Sequence, residues 1–545
     1  MIPWSGRVWR ILFADRSDTP LAPAGAPEGR FHHGGQIAIY CSLTPEGAAA
    51  AMRRYLRPDD PPRVIRPLAV EAQRILDRTG ERVPVLGGSP LRLWRLTGAG
   101  GELVARLAAG DDVVVAAGSP TAALVDRLLD AGALHPDPTS LPARWSPSDV
   151  TVVVPVRDRP DPLDGLLSSL GTFHDAGAGL VVVDDGSVDG PAHERVSQRH
   201  GATYIRRDRS GGPGVARDDG IATVTTPLVA IVDSDCVVPA GAGRWWEPLL
   251  RLFDDDRVAA VAPRVRTPPG PALLARYEGL RSPLDMGADP ARVSPGTRVS
   301  YVPAAALVLR TDAHRAVGGF DPDLSVGEDV DLIWRLADAG HRIRYEPTAV
   351  LDHPPRRGLG AWMRQRVGYG SSAGPLDARH PWRVAPVRCS PWSAAGWAAI
   401  VLGPVPAGPI AGAAILGISA ALLPRRLADV PTGAAVRLAV SGHGAAGVQL
   451  ARAAVRVWWP VLLAASTVSR RARRVSAVSV AVTAADVAVS LRREDPALGA
   501  GPLAAIVGLG VLDDAAYGAG VWIGALRVRS PRALLPAFPR SAHRF

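Results

Sequence analysis

Three groups of carboxylates sit where their types and spacing can do chemistry. Asp184 and Asp185 follow the apolar run LVVV at 180–183 and lead into Gly186 and Ser187. Asp233 and Asp235 follow the run LVAIV at 228–232 and are separated by one residue. Two carboxylates so spaced on an extended chain point the same way. That geometry suits a hard divalent cation, Mg2+ or Mn2+, which takes oxygen ligands and bridges diphosphate. A polar turn is the plain alternative for Asp-x-Asp on its own. Its place after an apolar strand, downstream of another strand that ends in Asp-Asp-Gly-Ser, favours the cation. The third group is Glu328 and Asp329, preceded by Gly327. Val330, Ile333, Trp334 and Ala337 follow at helical spacing and Gly340 stops the run, so both carboxylates lie at a helix amino end. Carboxylates cap such an end for purely structural reasons. Capping needs one of them, which leaves the other for acid–base work.

The elements that must position these groups read as an α/β alternation. TVVVPV (151–156), LVVV (180–183), ATYIRR (202–207) and LVAIV are short apolar or β-rich runs of the kind that form buried parallel strands. Between them, PDPLDGLLSSL predicts a helix with Leu163, Leu166, Leu167 and Leu170 on one side, a helical region follows Gly190, and another helix runs from Ala216 to Ala222. Repeated βα units build an open sheet whose ligands bind at the carboxyl ends of the strands. Gly211, Gly212 and Gly214 let the chain approach a ligand closely, but no Lys-Ser/Thr pair follows them, which excludes the nucleoside triphosphatase loop. HRIRYEP predicts a return strand, and His353 beyond it is a candidate metal or diphosphate contact, with a merely structural histidine as the alternative.

The 545 residues carry a formal charge of +10, and all 62 basic residues are arginine. With 57 Gly and 51 Pro this usage reads as a compositional bias rather than a nucleic-acid signal, so no nucleic-acid partner is expected. A hydrophobic share of 47% rules out wholesale disorder. Cys41, Cys236 and Cys389 are too dispersed for a disulfide framework or a cysteine zinc site. The opening MIPWSGRVWRILFADRSD lacks a sustained apolar stretch before Asp15, so no signal peptide is expected.

Composition divides the chain into a loose extension over 1–65, a small winged-helix-like α+β module over 66–138, the α/β domain over 150–375, and a hydrophobic helical region over 385–530. In the module a helix is expected from Ala122 to Leu134, stopped by Gly132. Residues 390–424 hold no charged side chain, more than the roughly 20 residues one bilayer crossing needs. Pro404, Pro406 and Pro409 leave one kinked span, a hairpin of two short ones or an interfacial segment open. Shorter apolar stretches follow at 457–469, 475–485 and 497–512, and the Trp458–Trp459 pair suits a membrane interface. Membrane attachment is expected, with the catalytic domain on the cytoplasmic side.

Taken in order, VPVRDRPD, VVVDDGSVDG, GGPGVARDDG, VDSD, GGF and GED resemble the family 2 glycosyltransferases, inverting enzymes with a GT-A fold. The wider arrangement resembles the mycofactocin-system glycosyltransferases. There a module similar to the peptide-chaperone domain of pyrroloquinoline quinone biosynthesis precedes the transferase, and LGGSPLRLWRLT at 86–97 matches it. The resemblance implies that Asp184 and Asp185 hold the uracil and ribose end of a nucleotide sugar, with Pro155 and Val156 lining the base pocket. It puts Asp233 at the ribose and ion, Asp235 on the metal, Arg217 among the donor contacts, and Asp329 as general base supported by Glu328. Arg364 or Arg366, placed after the catalytic segment, would clamp the diphosphate. The Gln-x-x-Arg-Trp signature of processive members is not intact. The implied activity is transfer of a hexose, glucose from UDP-glucose, onto a hydroxyl of the peptide-derived redox cofactor mycofactocin or its precursor, with a peptide or biosynthetic partner at the front module. A transferase for envelope lipid or polysaccharide, a nucleotidyltransferase and a non-catalytic peptide-binding membrane scaffold are the alternatives.

Overall fold

The computed structural model describes residues 68–70, 72–75, 82–109, 113, 118–268, 270–356, 358–496 and 498–538. The extension expected over 1–65, with Cys41, lies outside these residues. The chain divides into two compact units. The first runs through Val265 and takes in Met286–Asp321 and Leu332–Asp352, and the second holds Arg266–Asp285, Pro322–Asp331 and the chain from His353 on.

In the first unit, strand β1 (Leu68–Val70) precedes β2 (Ala72–Ile75), β3 (Val83–Gly87) and β4 (Arg92–Leu96), which form an antiparallel sheet in the order β2-β3-β4. Helices Gly98–Ala109 and Pro120–Asp130 follow, and β5 (Leu134–Pro136) pairs with β1. Val85, Leu103, Val104, Leu107, Leu128, Leu129 and Leu134 form a small core. The second helix starts where Ser119 accepts a bond from the Ala122 amide and Pro120 fills the first turn. It ends earlier than expected, because Leu134 is already in β5. Arg342, almost wholly buried, reaches from the main sheet to Asp130 of this helix (2.6 Å) and to Asp255 (2.5 Å). The α+β module is therefore fastened by charge to the domain that follows it.

The main sheet contains β6 (Val150–Val156), β7 (Gly179–Asp184), β8 (Thr203–Arg206), β9 (Leu228–Val232), β10 (Val258–Arg266), β11 (Ala291–Val293), β12 (Ala306–Arg310) and β13 (Arg342–Asp352). Their order is β11-β13-β10-β12-β9-β6-β7-β8. β6 lies parallel to both β7 and β9, with Val153 level with Val181 and with Ile231. β9 is buried along its whole length, and β6 and β7 nearly so, as continuous apolar strands covered on both faces must be. The chain moves from β6 outward to β7 and β8, then returns to the other side of β6 as β9. That reversal opens a crevice outside the carboxyl ends of β6 and β9. β10, β11 and β12 were not expected from the sequence; β12 runs antiparallel to β9 and to β10, which makes the sheet mixed.

The second unit is helical. Leu359–Ser371 and Ala373–Arg379 are followed by Pro391–Leu402, Ala407–Arg426, Thr432–Arg456, Trp459–Val468, Arg470–Glu494 and Ala500–Arg527. The uncharged stretch at 390–424 is thus two helices broken at residues 403–406. Ala407–Arg426, Arg470–Glu494 and Ala500–Arg527 are long and apolar enough to cross a membrane by length and composition. Glycines set how closely the last helix lies on the first two. A Cβ on Gly370 would meet the Tyr517 carbonyl oxygen at 1.9 Å, one on Gly374 the Gly524 oxygen at 2.2 Å, and one on Gly520 the Val367 oxygen at 2.1 Å. Small residues in register let helix backbones touch in this way. Trp362, Tyr277, Val487, Leu491 and Ile506 pack in the core beside them.

Candidate active site

β7 delivers Asp184 and Asp185 to its carboxyl end, where both are consumed by the loops they shape. Asp184 is fully buried and accepts the Ser187 amide (2.7 Å), the Tyr204 hydroxyl (2.6 Å) and Arg206 (2.8 Å). Burial pushes its carboxyl up, but the hydrogen bonds from Ser187 and Tyr204 outweigh this and leave it below the usual carboxylate value. Burial and the bond to Asp184 push the Tyr204 hydroxyl up to about 12. Asp185 accepts the amides of Gly211 (2.8 Å) and Gly212 (3.0 Å), the Ser210 hydroxyl (2.6 Å) and Arg207 (3.0 Å). Both residues expected at the nucleotide therefore also brace the loops around the crevice. Asp184 folds the loop at 184–190 and Asp185 pins the glycine-rich loop. Val156 is buried and its carbonyl accepts the Asp185 amide (2.9 Å), while Pro155 is half-buried.

The turn after β6 faces the same crevice. Asp158 adopts a left-handed conformation (φ 55°), held because its amide donates to the Ser187 hydroxyl (2.9 Å) and its carboxylate accepts the Val188 amide (2.8 Å). The Arg159 amide donates to Nε2 of buried His193 (3.0 Å), whose Nδ1 faces the Asp189 carbonyl (2.7 Å). Those partners require the hydrogen on Nδ1.

From this braced turn the Arg159 guanidinium pairs with Asp235 at the end of β9. Asp233 pairs with Arg217 (2.7 Å), and the Arg217 guanidinium lies over the Phe320 ring at 5.4 Å. The Phe320 amide in turn donates to Asp218 (2.9 Å), so the GGF segment and the glycine-rich motif meet through one carboxylate. Arg217, expected among the donor contacts, thereby also positions Asp233. Cys236 lies beside the pair, fully buried, its thiol pushed up by burial and further by Asp233 and Asp235.

Among the described residues no group of three or more His, Cys, Asp or Glu is gathered closely enough to hold a metal ion by itself. Asp233 and Asp235 nonetheless fit a hard cation, because Mg2+-type ions are commonly held by one or two carboxylates with substrate phosphates and water completing the shell. Their side chains are 31% and 11% exposed, so both open toward solvent. The donor set is correct for such an ion, but one Asp235 oxygen is already shared with Arg159, which the expectation of a simple metal ligand did not include.

In the second unit, Gly327 turns the chain with φ 85° into the helix Glu328–Asp338. A side chain at Gly327 would collide with Ser372, 2.8 Å from the added Cβ, so this left-handed turn is reserved for glycine on two counts. Glu328 is buried, and Asp329 is half-buried with Oδ1 accepting the Val330 amide (2.8 Å). Asp331, absent from the expected set, is buried against His380 at 2.8 Å. His353 lies in this unit too, with Glu278, Arg366 and Tyr369 lining the same small pocket. Arg366, expected at the diphosphate, has a side chain that is 2% exposed, pairs with Glu278 and with Asp513 (3.0 Å), and stacks on Trp362. Burying a guanidinium demands such partners. Arg364, on the same helix, is exposed.

Arg159, Arg207, Ser187, His193, Asp331 and His380 were not among the expected site residues. For Arg159 a signal existed. β6 and β9 read as neighbouring parallel strands, and the turn that follows one must meet the turn that follows the other.

Comparison with known proteins places these features in context. The model of the glycosyl transferase family 2 matches residues 151–314, and that of the RES domain matches residues 7–137, across the expected boundary between extension and module. A pre-mycofactocin glycosyltransferase of Mycobacterium tuberculosis (strain H37Rv) is 41% identical over 478 residues, which are 86% of this chain and 97% of the relative. A poly-beta-1,6-N-acetyl-D-glucosamine synthase of Staphylococcus aureus (strain MSSA476) is 22% identical over 222 residues, 40% of this chain and 53% of the relative. Among solved structures, a mannosyltransferase of Pyrobaculum calidifontis in complex with GDP-Man and Mn2+ aligns with a TM-score of 0.40 at 18% identity, covering 74% of this chain and 92% of that one.

Proposed function

The chain belongs to the family 2 glycosyltransferases, with the pre-mycofactocin glycosyltransferases among its members, and from that premise we propose that it moves a hexose, glucose from UDP-glucose, onto a hydroxyl of the peptide-derived redox cofactor mycofactocin or its precursor, inverting the anomeric centre. The observation that carries this reading is 41% identity running through 97% of the relative. An identity spread over nearly the whole length, rather than over the transferase domain alone, supports a shared acceptor as well as shared chemistry.

Asp233 and Asp235 are the residues that would hold a divalent cation, Mg2+ or Mn2+, which when bound offsets charge on the departing diphosphate. Pro155 and Val156 shape the base side of the crevice, and Asp184 and Asp185 hold the loops around it. Asp329 takes the proton as the acceptor oxygen attacks the anomeric carbon, and buried Glu328 beside it keeps the turn in place. A single displacement opposite the leaving group turns an α-linked donor into a β-linked product. Exposed Arg364 is available to an anionic substrate. The three long apolar helices support attachment to the cell membrane, and the transferase domain is placed in this reading on the cytoplasmic side, where nucleotide sugars are made. The front module supports a contact with a peptide or a biosynthetic partner.

The test is mass spectrometry of the small-molecule pool in cells carrying wild-type protein or Asp329→Asn. Hexose additions on a small redox compound, absent in the variant, are the expected result. Undiminished addition in Asp329→Asn would remove the base assignment. Changes confined to lipid or polysaccharide would keep the transferase and replace its acceptor.

A further inference from the structure

Two arginines neutralise the Asp233–Asp235 pair, and they are built differently. The Arg217 side chain is 4% exposed, lies over Phe320, and belongs to a helix packed on the sheet. It is a fixed partner. The Arg159 side chain is 38% exposed and comes from a turn rather than from a helix or strand. Its backbone is nonetheless rigid: the Arg159 amide is held by His193, and the preceding residue is tied through Ser187 and Val188. Only the side chain is free to move, and it pivots at the edge of the crevice.

A guanidinium and a divalent cation cannot comfortably share one carboxylate oxygen, because both are positive. If the cation takes Asp235, Arg159 must leave, and leaving is favourable only where another anion receives it. A diphosphate does so, since its oxygens match the two-pronged donor set of a guanidinium. We propose that Arg159 is an exchangeable counter-ion: it neutralises Asp235 while the crevice is empty and transfers to the donor diphosphate when a divalent cation takes its place. This rests on the reading of Asp235 as a cation ligand.

The arrangement makes cation and nucleotide bind cooperatively. Cation alone must displace Arg159 to no destination, and nucleotide alone must draw Arg159 away from Asp235 with no cation to replace it. Together they exchange partners, so each raises the affinity of the other by the same factor. Free cation is thereby kept off the carboxylates until a donor arrives.

The experiment titrates Mn2+ into the full chain with and without UDP, reading bound Mn2+ by electron paramagnetic resonance and UDP binding by calorimetry. Wild type is expected to bind Mn2+ weakly alone and more tightly with UDP, by about tenfold or more. Arg159→Gln should reverse the pattern, with Mn2+ bound about tenfold more tightly in the absence of UDP, UDP·Mn2+ bound more weakly, and the mutual enhancement lost. Arg159→Lys, which keeps the charge but not the fork, should keep Mn2+ binding weak while UDP binding falls. Opposite signs for metal and nucleotide are what a merely structural arginine would not produce. If Arg159→Gln leaves Mn2+ affinity unchanged or lowers it, the exchange is refuted. If Asp235→Asn leaves Mn2+ binding intact, the reading beneath it fails instead.

Discussion

Gly368 and Gly370 stand two residues apart in the same helix, and alanine should act on them with opposite signs. A Cβ at Gly370 would lie 1.9 Å from the Tyr517 carbonyl oxygen, against about 3.4 Å for an ordinary contact, so the helices Leu359–Ser371 and Ala500–Arg527 must separate by roughly 1.5 Å. The obstacle is backbone, which no rotamer change removes. Overpacking against backbone that cannot turn aside belongs to the upper part of the usual range, about 2–3 kcal/mol, and the helix propensity gained by replacing glycine returns about 1 kcal/mol. The balance for Gly370→Ala is a loss of about 1–2 kcal/mol. Gly368 has nothing within 4 Å of its added Cβ, so Gly368→Ala keeps the propensity gain of up to about 1 kcal/mol. For a unit of this size each kcal/mol moves the midpoint by about 2–4 °C. Thermal unfolding of both variants in detergent, followed by tryptophan fluorescence, should place Gly370→Ala about 2–8 °C below wild type and Gly368→Ala at or a few degrees above it. If Gly370→Ala melts at or above wild type, the glycine contact does not set the helix spacing.

Other expectations follow from single contacts. Arg366→Met leaves Glu278 and Asp513 without their buried partner, and should lose about 3–5 kcal/mol in the same melting assay. Because hydrogen bonds hold the Asp184 carboxyl below its ordinary value, its share of stability is present above about pH 4 and lost as pH falls through its lower folded value; Asp184→Asn should flatten the acid limb of a stability profile. Tyr204 acts at the other end: its share is complete below 10, lost as pH rises toward about 12, and Tyr204→Phe should remove one late-titrating phenol from the absorbance change at 295 nm. His380→Ala removes the contact of His380 with buried Asp331, two residues from Asp329, and steady-state kinetics should show kcat falling with the donor KM nearly unchanged.

The half of the sheet that lines the crevice was legible because β6, β7 and β9 are buried on both faces and read as unbroken apolar runs that end in carboxylates. β10, β11 and β12 were not, since VAAVAPRVR and ARV carry arginine and proline inside the strand and their pairing is antiparallel and distant in sequence. The 25-residue helix Thr432–Arg456 escaped for the opposite reason: glycine, histidine and arginine interrupt any apolar stretch that would announce it. The acidic residue types at the site were legible, but the arginine and loop partners that each carboxylate takes were not. Whether Asp184 faces a ligand or Tyr204 and Arg206 depends on what β8 brings alongside, which no spacing within its own motif encodes. Arg366 likewise looked available because its partners, Glu278 and Asp513, come from helices far away in the chain.

Every cation described in these pairs, at Asp233, Asp235, Glu278, Asp255 and Asp184, is an arginine, in a chain with no lysine at all. A guanidinium keeps its proton at any pH the cell reaches. These contacts therefore cannot be switched off by deprotonation of the basic partner, and acetylation, which silences lysine amines, finds no side-chain amine to modify. Reagents directed at amines will leave the charge lattice of both units as it stands.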